Sequence, residues 1–294
     1  MSQKTLTPLT PLWARIILVI LAFIFVGGAF QIIGYFFAGI PIENLGVDVE
    51  MTLLQTVTIQ FWSFIGVFLV IYSFRVILDR KPFITIGLSL KNRFLDFIGG
   101  FTIAFAIFGI GYLFLYSQDY IRITDMFFNL KSLSLSFLLF FIVSVTEEFL
   151  VRGYILNNLM DSMNKYIALI LSSILFAILH VINPNLSLIG ITNLFLAGLT
   201  LGATYIYTRN LWFPISLHLF WNFIQGPILG FNVSGKKLDS FIVLNINGSE
   251  ILTGGDFGFE GSILCTILEL ISFIGILYYF RRKETLQFKE TISV

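Results

Sequence analysis

Two adjacent carboxylates and one arginine interrupt an otherwise apolar segment that runs from Phe137 to Leu159: Glu147, Glu148 and Arg152. A charged side chain near the centre of a bilayer costs about 3 kcal/mol on insertion scales, so such a group indicates mutual pairing or a function. Glu148 and Arg152 are four residues apart, on one helical face and in the favourable orientation for an ion pair. Glu147 lies about 140° away from Arg152 around the helix. It is therefore the carboxylate left over for general-base chemistry.

The chain has only two histidines, and both lie in apolar segments beside other polar groups. His180 follows Phe176 by one helical turn, so the phenyl ring can pack against the imidazole. His218 and Asn222 share a helical face and can present two donors to one point, which suits an oxyanion. Either histidine alone fits a hydrogen bond between helices equally well. Together with the diacid, they favour a buried reaction centre.

Composition sets the class of protein. Hydrophobic residues make up 57%, charged residues 12%, and mean hydropathy is +0.90, which predicts a polytopic membrane protein. A net charge of +1 provides no basic field for nucleic acid. The single cysteine, Cys265, excludes an internal disulfide and a cysteine-based metal cluster, and its apolar surroundings predict a buried, inert thiol.

The elements that must position these groups are transmembrane helices, since a span needs about 20 apolar residues. We expect an all-α polytopic membrane protein, a bundle of about eight transmembrane helices around an intramembrane polar cavity. The predicted spans lie near 12–39, 53–74, 94–117, 135–159, 166–182, 186–208, 211–229 and 261–280. The predicted domains are 1–134 with three N-terminal spans, 135–229 with four catalytic spans, a Gly-rich extramembrane loop at 230–260, and the last span with a basic tail at 261–294.

Loop charges predict the orientation by the positive-inside rule. The 75–93 loop carries five cations, whereas the 40–52 loop has Glu43, Asp48 and Glu50 and no cation. Lys4 and Arg15 before the first span, and Arg281, Arg282 and Lys283 after the last, agree with cytoplasmic N- and C-termini. We expect a multi-pass protein of a prokaryotic plasma membrane. The 232–261 connection is then outside, either as a plain exterior loop, which we favour, or as a small cap over the bundle mouth.

Three ordered motifs resemble those of the CPBP family, which comprises the CAAX prenyl proteases and the bacteriocin-processing or immunity (Abi) membrane proteases. They are Glu-Glu-x-x-x-Arg at Glu147 to Arg152, Phe-x-x-x-His at Phe176 and His180, and His-x-x-x-Asn at His218 and Asn222. The resemblance implies an intramembrane endopeptidase in which Glu147 and His180 activate water and His218 and Asn222 stabilise the oxyanion. Glu148, Arg152 and Phe176 would support the site. Its partners would be membrane lipid and a peptide or lipidated-peptide substrate, prenylated or a leader peptide.

Several alternatives stay open. We favour a metal-free glutamate mechanism without a cofactor, because the usual His-Glu-x-x-His helix of zinc proteases is absent. A zinc variant would use Glu147, His180 and His218 as ligands and Glu148 as the base. The same polar cluster would also serve a proton-coupled transporter or a non-catalytic scaffold or immunity protein. Helical rise presents one difficulty, since it places Glu147 and His180 about 20 Å from the cytoplasmic side and His218 only about 10 Å from it.

Overall fold

The computed structural model describes residues 8–44 and 50–292, so Lys4 and Asp48 of the orientation argument lie outside it. The described chain is nearly all helical and contains long apolar helices, which confirms the predicted all-α polytopic membrane fold. The main helices are α1 (Leu12–Phe37), α2 (Leu53–Ser73), α3 (Phe94–Ser117), α4 (Leu130–Glu148), α5 (Lys165–Leu179), α6 (Leu188–Thr208), α7 (Trp212–Phe223) and α8 (Ile263–Ile292). Two strands, β1 (Ile121–Met126) and β2 (Ile242–Ile246), form the only sheet among the described residues.

All eight predicted spans are helical, but they differ in length. Six helices are long and apolar enough to cross a membrane: α1, α3, α6, α2 extended to Leu78, α4 extended to Met160, and α8 as far as Leu286. α5 has 15 residues and α7 has 12. α5 stops early because Asn183-Pro184-Asn185 follows it, with Asn185 in the left-handed region at φ 57°. Arg209, at φ 47°, separates α6 from α7 in the same way.

Side-chain caps define where four of the helices begin. Asn129, Asn164 and Ser187 each accept a hydrogen bond from a backbone N–H in the first turn of α4, α5 and α6. Thr52 and Gln55 form a reciprocal capping box at the start of α2. The caps therefore determine where α4, which carries the two acids, and α5, which His180 directly follows, begin.

The segment between α7 and α8 is folded and is not the plain loop that we favoured from sequence. Its strand β2 pairs antiparallel with β1, the strand that connects α3 to α4. Phe257 and Phe259 are buried in the main apolar core. A two-residue turn at Ser234-Gly235 packs against the bend after α5, where a Cβ on Gly235 would lie 2.0 Å from the carbonyl oxygen of Pro184. We name residues 229–262 the cap segment.

A buried polar cluster closes the opposite end of the bundle around Asp79. Its carboxylate accepts from Arg15, from Arg75 at 3.1 Å, from Asn158 at 3.0 Å and from Tyr154 at 3.2 Å. Arg15 and Arg75 are 6% and 2% exposed, so they are internal ion-pair partners and not the free terminal and loop charges that the orientation argument assumed. Pairing compensates the cost of burying them.

Candidate active site

A cavity of about 310 Å³ lies between α2, α4, α5, α6, α7 and the cap segment. Every residue to which the sequence assigned direct chemistry borders this cavity, together with Phe176. These residues are Glu147, His180, His218 and Asn222. The wall around them is largely apolar and includes Leu139, Phe140, Val143, Leu194, Ala197, Leu201 and Leu217. An apolar cavity with a few convergent polar groups is typical of a binding or catalytic site.

Both imidazoles point one nitrogen at the same carboxylate oxygen. Oε2 of Glu147 lies 3.6 Å from Nε2 of His180 and 3.9 Å from Nε2 of His218. These distances are longer than direct hydrogen bonds, and Oε2 has no hydrogen-bond partner among the described residues. The Glu147 side chain is 28% exposed and borders the cavity, although Oε2 itself is buried.

The other nitrogen of each imidazole is held by the protein. Nδ1 of His180 lies 2.8 Å from the carbonyl oxygen of Phe176, and Nδ1 of His218 lies 2.9 Å from Oε1 of Glu148. Carbonyl and carboxylate oxygens accept hydrogen bonds and cannot donate them. Each Nδ1 therefore carries a hydrogen and donates it. This fixes both ring orientations and leaves both Nε2 atoms to face the cavity.

Glu148 and Arg152 form a fully buried ion pair beneath the cavity. Oε1 of Glu148 accepts from Arg152 Nη1 at 2.8 Å, and neither side chain has any solvent exposure. Arg152 also donates to the carbonyl oxygen of Gly198, and its guanidinium lies 4.5 Å from the ring centre of Phe176. One oxygen of Glu148 thus joins Arg152 to His218. The pair holds the imidazole in place and does not reach the cavity itself.

Asn222 presents its amide to the cavity from the same helix as His218. The residue is 7% exposed and lines the cavity wall. No group in the described part of the chain hydrogen-bonds to the Asn222 side chain. A buried amide normally finds a partner, so this one is free to receive a ligand.

The local backbone explains how these residues meet. Directly after Glu148 the helix widens into a π-helical segment from Phe149 to Leu156, a form that is frequent at functional sites. α7 begins within the protein, because Leu211 is fully buried and its N–H donates to the carbonyl oxygen of Gly87. His218 therefore reaches the level of Glu147 although it lies only six residues after the start of α7 at Trp212. This removes the difference in depth that uniform spans predicted.

Sequence reasoning missed Glu260, which borders the cavity from the cap segment. Its carboxylate accepts from Trp221 Nε1 at 3.2 Å and from the backbone N–H of Ser234. Burial raises the pKa of the Glu260 carboxyl above its ordinary value, although these hydrogen bonds act in the opposite direction. Glu260 joins α7 to the turn at Ser234-Gly235. The only signal in the sequence was a glycine-rich run, 254–261, that carries two acids, Asp256 and Glu260.

The donor set fits zinc in kind, and its separations from Glu147 are a few tenths of an ångström wider than in a zinc site. Glu147, His180 and His218 offer one carboxylate and two imidazoles, the set of a catalytic zinc site. Ligand atoms bound to tetrahedral zinc at about 2.1 Å lie about 3.4 Å apart, whereas the two contacts to Glu147 measure 3.6 and 3.9 Å. Within the described ranges, no group of three or more His, Cys, Asp or Glu is arranged to hold a metal.

Two comparisons with known proteins bear on this site. A search of curated proteins finds no match. The model of a protein family, the Rce1-like type II CAAX prenyl endopeptidases, matches residues 129–224, about a third of the chain. The matched stretch contains all seven residues that the sequence analysis assigned to the site or its support. The family indicates an intramembrane protease. The match confirms the predicted CAAX-protease resemblance: residues 129–224 are similar to the Rce1-like type II CAAX prenyl endopeptidases.

Proposed function

We propose that this protein hydrolyses a peptide bond of a membrane-associated peptide by a glutamate mechanism. The observation that carries the proposal is the convergence of Nε2 of His180 and Nε2 of His218 on Oε2 of Glu147, within 3.9 Å and at the wall of an apolar cavity. A water molecule that reached the Glu147 carboxylate from the cavity would meet two bases, this carboxylate and Nε2 of His180, and one donor, Nε2–H of His218. That is the arrangement that general-base hydrolysis requires.

In the proposed reaction, Glu147, assisted by His180, removes a proton from water while the oxygen attacks the carbonyl carbon. The amide of Asn222 and Nε2–H of His218 donate hydrogen bonds to the oxyanion that forms. Glu147 then gives the proton to the departing amine as the carbon–nitrogen bond breaks. His218 can donate from Nε2 only as an imidazolium, because Nδ1–H is already directed to Glu148. With His218 in that form, the cluster of two acids, Arg152 and imidazolium is neutral overall.

A zinc mechanism is the competing chemistry at the same atoms. Its ligands would be Glu147, His180 and His218, whose Nδ1 atoms already have the outer partners that orient metal-bound imidazoles. Its proposed base, Glu148, is fully buried and bonded to Arg152 and His218, so it is poorly placed to activate water. Metal analysis of the purified protein separates the two mechanisms. Stoichiometric zinc that is lost on His180→Ala would replace the metal-free proposal.

Two other functions use the same cluster without cleavage. A proton-coupled transporter needs a polar path through the protein, but no residue of the Asp79 cluster lines the cavity. Asn222 provides a free amide beside an acid and two imidazoles. A non-catalytic scaffold or immunity protein would not need such an amide. We therefore favour hydrolysis over both of these functions.

We further propose the orientation and the division of the chain. Both termini lie in the cytoplasm, and the membrane is the plasma membrane of a prokaryote. Residues 1–134 supply three supporting helices, 135–229 supply the catalytic helices, 230–260 lie outside the membrane, and 261–294 contribute the last span and a basic tail. Exposed cations at Arg80, Lys91 and Arg282 support this orientation.

The test is to incubate purified protein with prenylated, otherwise lipidated and unmodified peptides and to identify products by mass spectrometry. We expect cleavage of at least one lipid-bearing peptide by the wild type and none by Glu147→Ala. A Glu43→Ala variant is the matched control, because Glu43 is exposed and does not border the cavity. Equal product from wild type and Glu147→Ala would refute the proposal.

A further inference from the structure

The positive charge of the protein lies at one end of the helical bundle. We define the basic end as the end where α1, α3, α5 and α7 begin and where α2, α4, α6 and α8 end. Contacts such as Lys81 with Asp161 and Lys165 with Glu284 join these helix ends to one another. The eleven cations there with described side chains are Arg15, Arg75, Arg80, Lys81, Lys91, Arg93, Lys165, Arg209, Arg281, Arg282 and Lys283.

The opposite end, which we name the cavity end, has far fewer cations. It consists of the described parts of the connection from α1 to α2, the β1 and β2 sheet, the bend after α5 and the cap segment. Its described cations number four, namely Arg122, Lys131, Lys236 and Lys237. Arg15 and Arg75 are buried against Asp79, so nine cations of the basic end remain for comparison with the four at the cavity end. Nine against four is still a clear asymmetry for the positive-inside rule, which counts Lys and Arg near the ends of spans. The rule places the basic end in the cytoplasm.

The candidate site communicates with the cavity end. Asn183, Val233, Ser234, Lys236, Leu238 and Glu260 border the cavity, and all belong to the bend after α5 or to the cap segment. None of the cations of the basic end borders it. Lys236 is exposed while it lines the cavity, so it marks the mouth.

We propose that the cavity takes membrane-anchored peptides whose scissile segment lies on the non-cytoplasmic side of the membrane. This rests on the proposed peptidase function. The substrate class is then an exported or surface-anchored peptide that reaches Glu147 past Lys236 and Leu238. A peptide attached to the cytoplasmic face would meet the basic end, where the buried Asp79 cluster fills the interior.

Sidedness can be measured without activity. The only native cysteine, Cys265, is fully buried, so the wild type is an unlabelled background for single-cysteine variants. We choose Lys236→Cys and Lys237→Cys at the cavity end and Lys91→Cys at the basic end, since all three lysines are exposed. A membrane-impermeant maleimide should label the first two in intact cells and Lys91→Cys only after permeabilisation. The reverse pattern would overturn the proposal.

Access of substrate is tested in sealed right-side-out vesicles with lipidated peptides added outside. We expect cleavage without opening the vesicles. The maleimide should block cleavage by Lys236→Cys, where the label lies in the mouth, and spare Lys237→Cys, which does not border the cavity. Cleavage that requires opened vesicles would overturn the proposal. The expected labelling with no cleavage in sealed or opened vesicles would refute the peptidase function while supporting the sidedness of the cavity.

Discussion

Nδ1 of His218 lies 2.9 Å from Oε1 of Glu148, the same oxygen that accepts from Arg152. The second acid of the Glu-Glu pair thus holds a histidine as well as an arginine. A carboxylate that bonds to Nδ1 fixes the imidazole and favours its charged form. The two neighbouring acids therefore have different roles: Glu147 borders the cavity, and Glu148 lies beneath it.

Removal of Glu148 should damage both folding and catalysis. Glu148→Ala leaves Arg152 buried and without its partner, which typically costs about 3–5 kcal/mol. Glu148→Gln keeps an acceptor oxygen, so it should fold better than Glu148→Ala. Its turnover should still fall, because the substitution removes the carboxylate that holds His218. Thermal unfolding in detergent, read beside activity per folded molecule, checks this. A Glu148→Ala protein as stable as Glu43→Ala, the exposed control, would contradict it.

Removal of the Glu147 carboxylate should abolish catalysis with little effect on stability. Oε2 has no hydrogen-bond partner in the described chain, so Glu147→Gln breaks no bond at that atom. Loss of a general base typically lowers the rate by about 10²–10⁴-fold. Single-turnover cleavage and thermal unfolding measure the two effects. An active Glu147→Gln beside a folded but inactive Glu148→Gln would reverse the assigned roles.

Asn222→Ala should lower kcat and leave KM nearly unchanged. Loss of one oxyanion donor costs about 10²–10³-fold in kcat, because the hydrogen bond strengthens only as negative charge develops. The amide has no partner within the described residues, so the folded protein should lose little stability. Steady-state kinetics on a cleaved peptide provide the test. A rise in KM at constant kcat would assign Asn222 to substrate binding instead.

Acid should weaken the ion pairs of Asp161 at the basic end. Burial acts to raise its pKa, but hydrogen bonds from Lys81 and Arg209 outweigh burial and lower the pKa below the ordinary 3.8. A lowered pKa contributes stability above the unfolded-state value, and that stability is lost as pH falls through the folded-state value. Asp161→Asn should therefore lower Tm at neutral pH and leave it unchanged near pH 2. An equal decrease at both pH values would rule out this titration as the cause.

Local pattern predicted the helices well, because membrane spans are long apolar runs between polar residues. α3 has the predicted bounds, and α1 begins at the predicted residue, Leu12. The ion pair of Glu148 with Arg152 was also predictable, since its partners are four residues apart in the sequence. Contacts of this kind are determined by helical geometry alone.

The unpredicted features depend on partners that are distant in sequence. Asp79 binds Arg15 across 64 residues, and Trp221 binds Glu260 across 39. Helical spacing does not relate residues that are so far apart. The sequence analysis therefore treated the two buried arginines, Arg15 and Arg75, as charges outside the spans. The pairing of β1 with β2 likewise joins segments that are more than 100 residues apart, as Met126 with Ile242.

The cap segment and the start of α2 have a consequence for how this protein can be altered. All residues proposed for hydrolysis lie within 129–224, whereas Thr56, Gln60, Lys236 and Leu238 of the cavity wall lie outside that stretch. Part of the wall that would contact the peptide is therefore encoded outside the stretch that carries the residues proposed for hydrolysis. A graft of residues 229–262 from a relative would exchange the wall beside the substrate and retain the catalytic helices, provided that β2 still pairs with β1.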